Sequence, residues 1–141
     1  MEERGGSVGF FLCKVGVAFA AVAFVGFALS MYAGSTRFAE GRDLEAVAMT
    51  IARTIEEVDD FPREAELRRE LPASSQQFEV LITGELKGGL QMVQVRVISE
   101  LDVECSLIVS TLVNGGDFRI SMKNPHEIMV EKSGTIVVEL V

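Results

Sequence analysis

From Phe10 to Tyr32 the chain runs for 23 residues with one charged side chain, Lys14. As a helix rising ~1.5 Å per residue this run would cover ~34 Å, enough to cross a hydrocarbon core of ~30 Å. Five phenylalanines (Phe10, Phe11, Phe19, Phe24, Phe27) alternate here with small residues. Gly16 and Ala20 form a small-xxx-small pair, the spacing that lets helix backbones approach in lipid. Lys14 lies one turn inside, where its stem can snorkel to the nearer interface, and Tyr32 sits at the other boundary. The pattern predicts a short N-terminal flank over 1–9 and a transmembrane helix over 10–33.

No proline or polar loop follows, and the period stays helical. Leu44, Val47, Ala48, Ile51, Ile55 and Val58 form one apolar stripe, with Arg42, Asp43, Glu45, Arg53, Glu56 and Glu57 on the other faces. Phe61-Pro62 ends it, since a residue before proline is pushed out of the helical region. This predicts an amphipathic extension over 34–61 whose stripe Leu44, Val47, Ile51, Ile55, Val58 lies against a sheet. Residues 62–77, densely charged between Pro62 and Pro72, read as a linker or a short solvated helix.

After Ser75 the period drops to two. Phe78, Val80 and Ile82 alternate with Glu79, Leu81 and Thr83, and Val93, Val95 and Val97 follow the turn Lys87-Gly88-Gly89. A third strand runs from Leu101 to Val109, a fourth carries Phe118, Ile120 and Met122, and a last hairpin turns about Lys132-Ser133-Gly134. Short turns between consecutive strands predict an antiparallel meander over 78–141, open or curled into a small β-sandwich. The expected class is α+β: a long N-terminal helix packed on a C-terminal antiparallel head.

Charge is confined to the second part. Residues 1–36 hold two acids and two bases, so the formal net charge of −8 lies beyond them. An acidic head lacks the Lys and Arg clusters that nucleic acid requires. The lone histidine, His126, follows Asn124-Pro125 in a turn, and no His or Cys has a partner at metal-ligand spacing. Gly88-Gly89 and Gly115-Gly116 belong to turns, and Asp59-Asp60 marks a helix exit. The reading therefore contains no catalytic, metal or cofactor site. A cleaved secretory signal fits poorly, because Met1-Glu2-Glu3-Arg4 is not basic and the apolar run is overlong.

The layout of short charged leader, unbroken apolar helix, amphipathic extension and β head resembles an archaeal type IV pilin-like protein of the class III signal peptide type. Arg4-Gly5 matches that family's basic-glycine step, with Gly6-Ser7-Val8-Gly9 as the mature start. Leu71-Pro72 followed by Phe78-Glu79-Val80-Leu81-Ile82 is similar to the way such heads begin their first strand. The resemblance implies processing at Arg4, Gly5 and Gly6 by a prepilin peptidase. It also implies assembly with itself or other pilin-like subunits through the apolar helix. The two leader glutamates and Lys14 depart from the family pattern and suggest a minor or divergent member. The alternative is a single-span anchored module whose head binds a partner and never polymerises.

Either way Cys13, in the apolar run, and Cys105, in a strand, are expected to stay apart, since a disulfide needs Cα atoms within ~7 Å. Non-reducing electrophoresis should show no intrachain bridge. A faster-migrating species that reductant abolishes would contradict the layout.

Overall fold

The computed structural model describes residues 14–141 in full and, for 3–13, the course of the backbone alone. A single helix, α1 (Glu3–Asp60), is followed by seven strands: β1 (Ala65–Glu70), β2 (Glu79–Lys87), β3 (Leu90–Ile98), β4 (Asp102–Val109), β5 (Phe118–Lys123), β6 (Glu127–Ser133) and β7 (Thr135–Leu140). The expected class, α+β with one long N-terminal helix on antiparallel sheet, is the one observed. The chain divides into two units, Met1–Phe38 and Ala39–Val141.

In the first unit every residue from Lys14 to Ser35 is exposed. Thr36 turns its hydroxyl back onto the Tyr32 and Ala33 carbonyls at 3.1 and 3.0 Å, which hides a polar group against the helix. Among the described residues this is the one helix long and apolar enough to cross a membrane.

The second unit holds the core. Its strands form two antiparallel sheets, ordered β4-β3-β2-β5 and β1-β6-β7. The helical stripe supplies one wall of the cluster: Leu44, Val47, Ile51, Ile55 and Val58 are fully buried with Val80, Ile82, Val93, Val95, Val97, Ile128, Val130 and Ile136. Each such side chain contributes roughly 1.5–3 kcal/mol through removal from water. Three contacts show how α1 runs beside β4. A Cβ on Gly41 would lie 3.7 Å from Leu101, Met49 meets Cys105 at 4.0 Å between sulfurs, and Asp59 bonds the backbone of Ser110. The helix therefore reaches the head at the Leu101 end and stops at the Ser110 end.

Three expectations need correction. Residues 65–70 are a strand, neither linker nor helix, paired with β6 in the register Leu67↔Val130. Ala65, Leu67 and Arg69 alternate with exposed Glu66, Arg68 and Glu70. The charge is that of a sheet-edge strand with one wet face, and inward Arg69 reaches Glu57 on α1 at 2.5 Å. Second, the head is not a simple meander. β5 pairs with β2, Ile82↔Ile120, so the chain crosses from one edge of the four-stranded sheet to the other after β4. Third, the head unit begins at Ala39 within the helix and includes β1, so its first strand precedes the one starting near Phe78.

The stripe sets a direct test. Ile51→Asp would bury an unpaired carboxylate and should abolish cooperative unfolding of the full chain in mild detergent, followed by circular dichroism. Ile51→Ala should remain folded but lose about 2–5 kcal/mol.

Candidate functional site

Two regions stand out: the apolar half of α1, and the polar side chains that fix the loops at the end of the head where α1 stops. On the helix, Gly16, Gly26 and Gly34 have nothing within 4 Å of a built Cβ, and Ala20 is exposed. The Gly16–Ala20 pair thus presents a smooth, unoccupied strip on an apolar surface that includes exposed Phe19, Phe24 and Phe27. Arg4, Gly5, Gly6 and Cys13 lie outside the residues whose side chains are described.

At the far end α1 closes with two acids, Asp59 and Asp60, and no basic residue in its last turn. This is the wrong sign for the negative end of a helix dipole. Lys132 on β6 compensates: its ammonium donates to the carbonyls of Asp59 at 2.9 Å and Phe61 at 2.7 Å. That satisfies two carbonyls the helix end leaves open. The Asp59 carboxylate in turn accepts from the N–H groups of Ser110 (3.0 Å) and Thr111 (2.9 Å) and from the Ser110 hydroxyl (3.2 Å). Partial burial pushes its pKa up, but the Ser110 and Thr111 bonds outweigh that and hold it below the ordinary value of 3.8.

The crossover between β4 and β5 hangs on two side chains. Buried Gln91 donates to the carbonyls of Val113 (2.9 Å) and Gly116, and accepts from the Val113 N–H at 2.6 Å. Asn114, at φ 47°, accepts from the Val138 N–H at 3.0 Å through its side chain, while its backbone N–H donates to the Ile136 carbonyl at 2.8 Å. The Ile136 N–H reaches the Leu112 carbonyl at 2.8 Å, so the crossover lies along the outer edge of β7. Gly84 is glycine because a Cβ there would fall 2.3 Å from the Phe118 ring and 2.7 Å from the Gln91 amide.

Sequence reasoning took Asp59 for a helix exit, placed Asn114 and Lys132 in turns, and left Gln91 without a role. A Gln at an inward β position and a Lys in an otherwise apolar alternation were the available signals. His126 is exposed, and no three His, Cys, Asp or Glu side chains among the described residues are grouped to hold a metal. Comparison with known family models, curated proteins and solved structures finds no match to this chain.

The Asp59 cluster has a signed pH dependence. Its carboxyl pKa is lowered on folding, so the stabilisation is full above the unfolded value and fades as pH falls through the folded one. Asp59→Asn should flatten that acid limb in urea melts taken from neutral pH to about pH 3. Asp59→Ala should cost about 1 kcal/mol at neutral pH, because the group is only partly buried.

Proposed function

We propose that this protein is a membrane-anchored, pilin-like structural subunit, a minor component of an archaeal type IV pilus-like filament. The apolar half of α1 is its assembly element and the β head its display surface. The observation that carries this reading is the division of labour within one helix. Residues 44–58 bury their stripe in the head, while 14–35 are exposed throughout and offer an open small-residue strip at Gly16 and Ala20. An apolar surface that long is unstable in water and must be covered by lipid or by other helices. Close approach at a small-residue strip favours helices as the eventual cover. The head needs nothing from the first half of α1 to complete its core, so the helix can leave lipid for a filament without unfolding it.

In this reading the N-terminus is cytoplasmic and the head is extracytoplasmic. Arg4 and Lys14 lie at the first end of the span and Arg37 and Arg42 follow it, so charge alone is balanced. The orientation rests on the family resemblance. Protease added to intact cells should digest the head, and complete protection would reverse the topology.

The decisive measurement is the mature N-terminus of native protein by mass spectrometry. The chain should lack residues 1–5 or 1–6, and the double change Gly5→Leu with Gly6→Leu should leave the precursor in the membrane. Gly16→Leu should reduce assembly in the membrane fraction without altering the melting of the head. A native protein that keeps Met1 and stays monomeric in mild detergent would instead be an anchored binding module.

A further inference from the structure

The end of the head at which α1 arrives contains a cavity of about 340 Å³, between the segment after β1 and the β5–β6 connection. Its size falls in the lower part of the range for small-ligand pockets, roughly 300–1,000 Å³. Buried Leu71, Phe78 and Pro125 line it together with Ser75, Gln77 and His126. None of its eleven lining residues is Asp, Glu, Lys or Arg. The surrounding unit, residues 39–141, carries 19 acids and 10 bases, so this charge-free patch stands apart from the rest of the head.

The walls are held by the chain itself. The Leu71 N–H donates to the His126 carbonyl at 2.8 Å, and Phe78 and Asn124 exchange bonds of 2.9 and 2.8 Å. The Ser99 hydroxyl donates to the Gln77 carbonyl at 2.9 Å and lies 3.2 Å from the Gln76 side-chain oxygen. Ser99 also ties the cavity to the β3–β4 turn, whose Leu101 sits beside Gly41 of α1. By contrast, the side chains of Ser75, Gln77 and His126 make no hydrogen bond among the described residues. The cavity is therefore preformed, with an apolar floor and unspent neutral donors and acceptors at its rim.

That chemistry selects a ligand class. An anion would enter a strongly acidic unit and find no Lys or Arg; a cation would find no carboxylate. Either ion would lose hydration without a paired charge. A purely apolar ligand would leave the amide and hydroxyl groups unpaired, at about 1–3 kcal/mol for each group it desolvates. A neutral polyhydroxylated ring, with apolar faces and hydroxyl edges, meets both surfaces. We propose that this cavity binds one or two rings of an uncharged saccharide, either free or as the headgroup of a glycolipid. The lipid source rests on the membrane reading above; the pocket chemistry does not depend on it.

His126 is the only histidine in the chain, so its imidazole C–H resonances report on the cavity by NMR. The full chain is placed in phosphatidylcholine nanodiscs, which avoids sugar-based detergent. One arm titrates glucose, galactose, mannose and N-acetylglucosamine to about 50 mM, enough to saturate a Kd of a few millimolar. The other replaces part of the lipid with neutral galactosyl diacylglycerol. A saturating shift in the first arm identifies a free-sugar site, and one confined to the second identifies a headgroup site. Ser75→Trp, at an exposed position without hydrogen bonds, should fill the cavity and weaken either response at least tenfold, while Glu85→Gln, exposed at the opposite end of β2, should not. Gln77→Lys gives a second variant should the tryptophan perturb folding. No shift in either arm, an unchanged shift in both cavity variants, or an equal shift with glucuronate would overturn the proposal. None of these readouts depends on leader cleavage or assembly, so the filament reading stands or falls separately.

Discussion

Two small sheets of four and three strands cannot each hide an apolar face unaided, and in this head one helical stripe closes both. Leu44, Val47, Ile51, Ile55 and Val58 occupy successive turns of α1 and are all fully buried, among side chains from β2, β3, β6 and β7. Everything else in the second unit depends on that shared wall. The backbone links between the sheets are the crossover that runs along β7 and the chain segments that join them. Removing the stripe would therefore expose both sheets together, as expected of a domain with one core.

The helix end is fixed by a reciprocal arrangement. Lys132 of the three-stranded sheet reaches the helix carbonyls, and Asp59 of the helix reaches the backbone just after β4 of the other sheet. Charge unfavourable to the helix dipole thus stays in place because each charged group serves a different neighbour. Gln91 acts comparably one layer away, giving a buried loop the hydrogen bonds its backbone could not find elsewhere.

Most of the helix and strand pattern was legible because it rests on local periodicity. The stripe from Leu44 to Val58 and the alternations about Val80, Val95 and Ile120 each follow from residues a few positions apart. What escaped depended on distant partners. β1 offered only Ala65 and Leu67 as apolar inward positions, with Arg69 the third, and its pairing with Val130 lies more than sixty residues away. Asn114-Gly115-Gly116-Asp117 did mark a turn, but no spacing could say that the chain would there pass to the opposite edge beside β2. The cavity was equally hidden, since its walls come from two segments separated by nearly fifty residues and joined through Asn124. The Gly16–Ala20 strip was readable as a spacing, and its occupant is a matter for experiment.

The crossover along β7 has one more consequence. An outermost strand ordinarily displays a row of unused N–H and C=O groups that any extended segment can zip onto. Here the first stretch of that row is already spoken for by Leu112 and Asn114, partly through a side-chain amide that imitates a peptide group. An extended segment that approaches side-on meets, at this border, a selvedge rather than a raw thread. That border is thereby guarded against zipping onto an extended segment from outside.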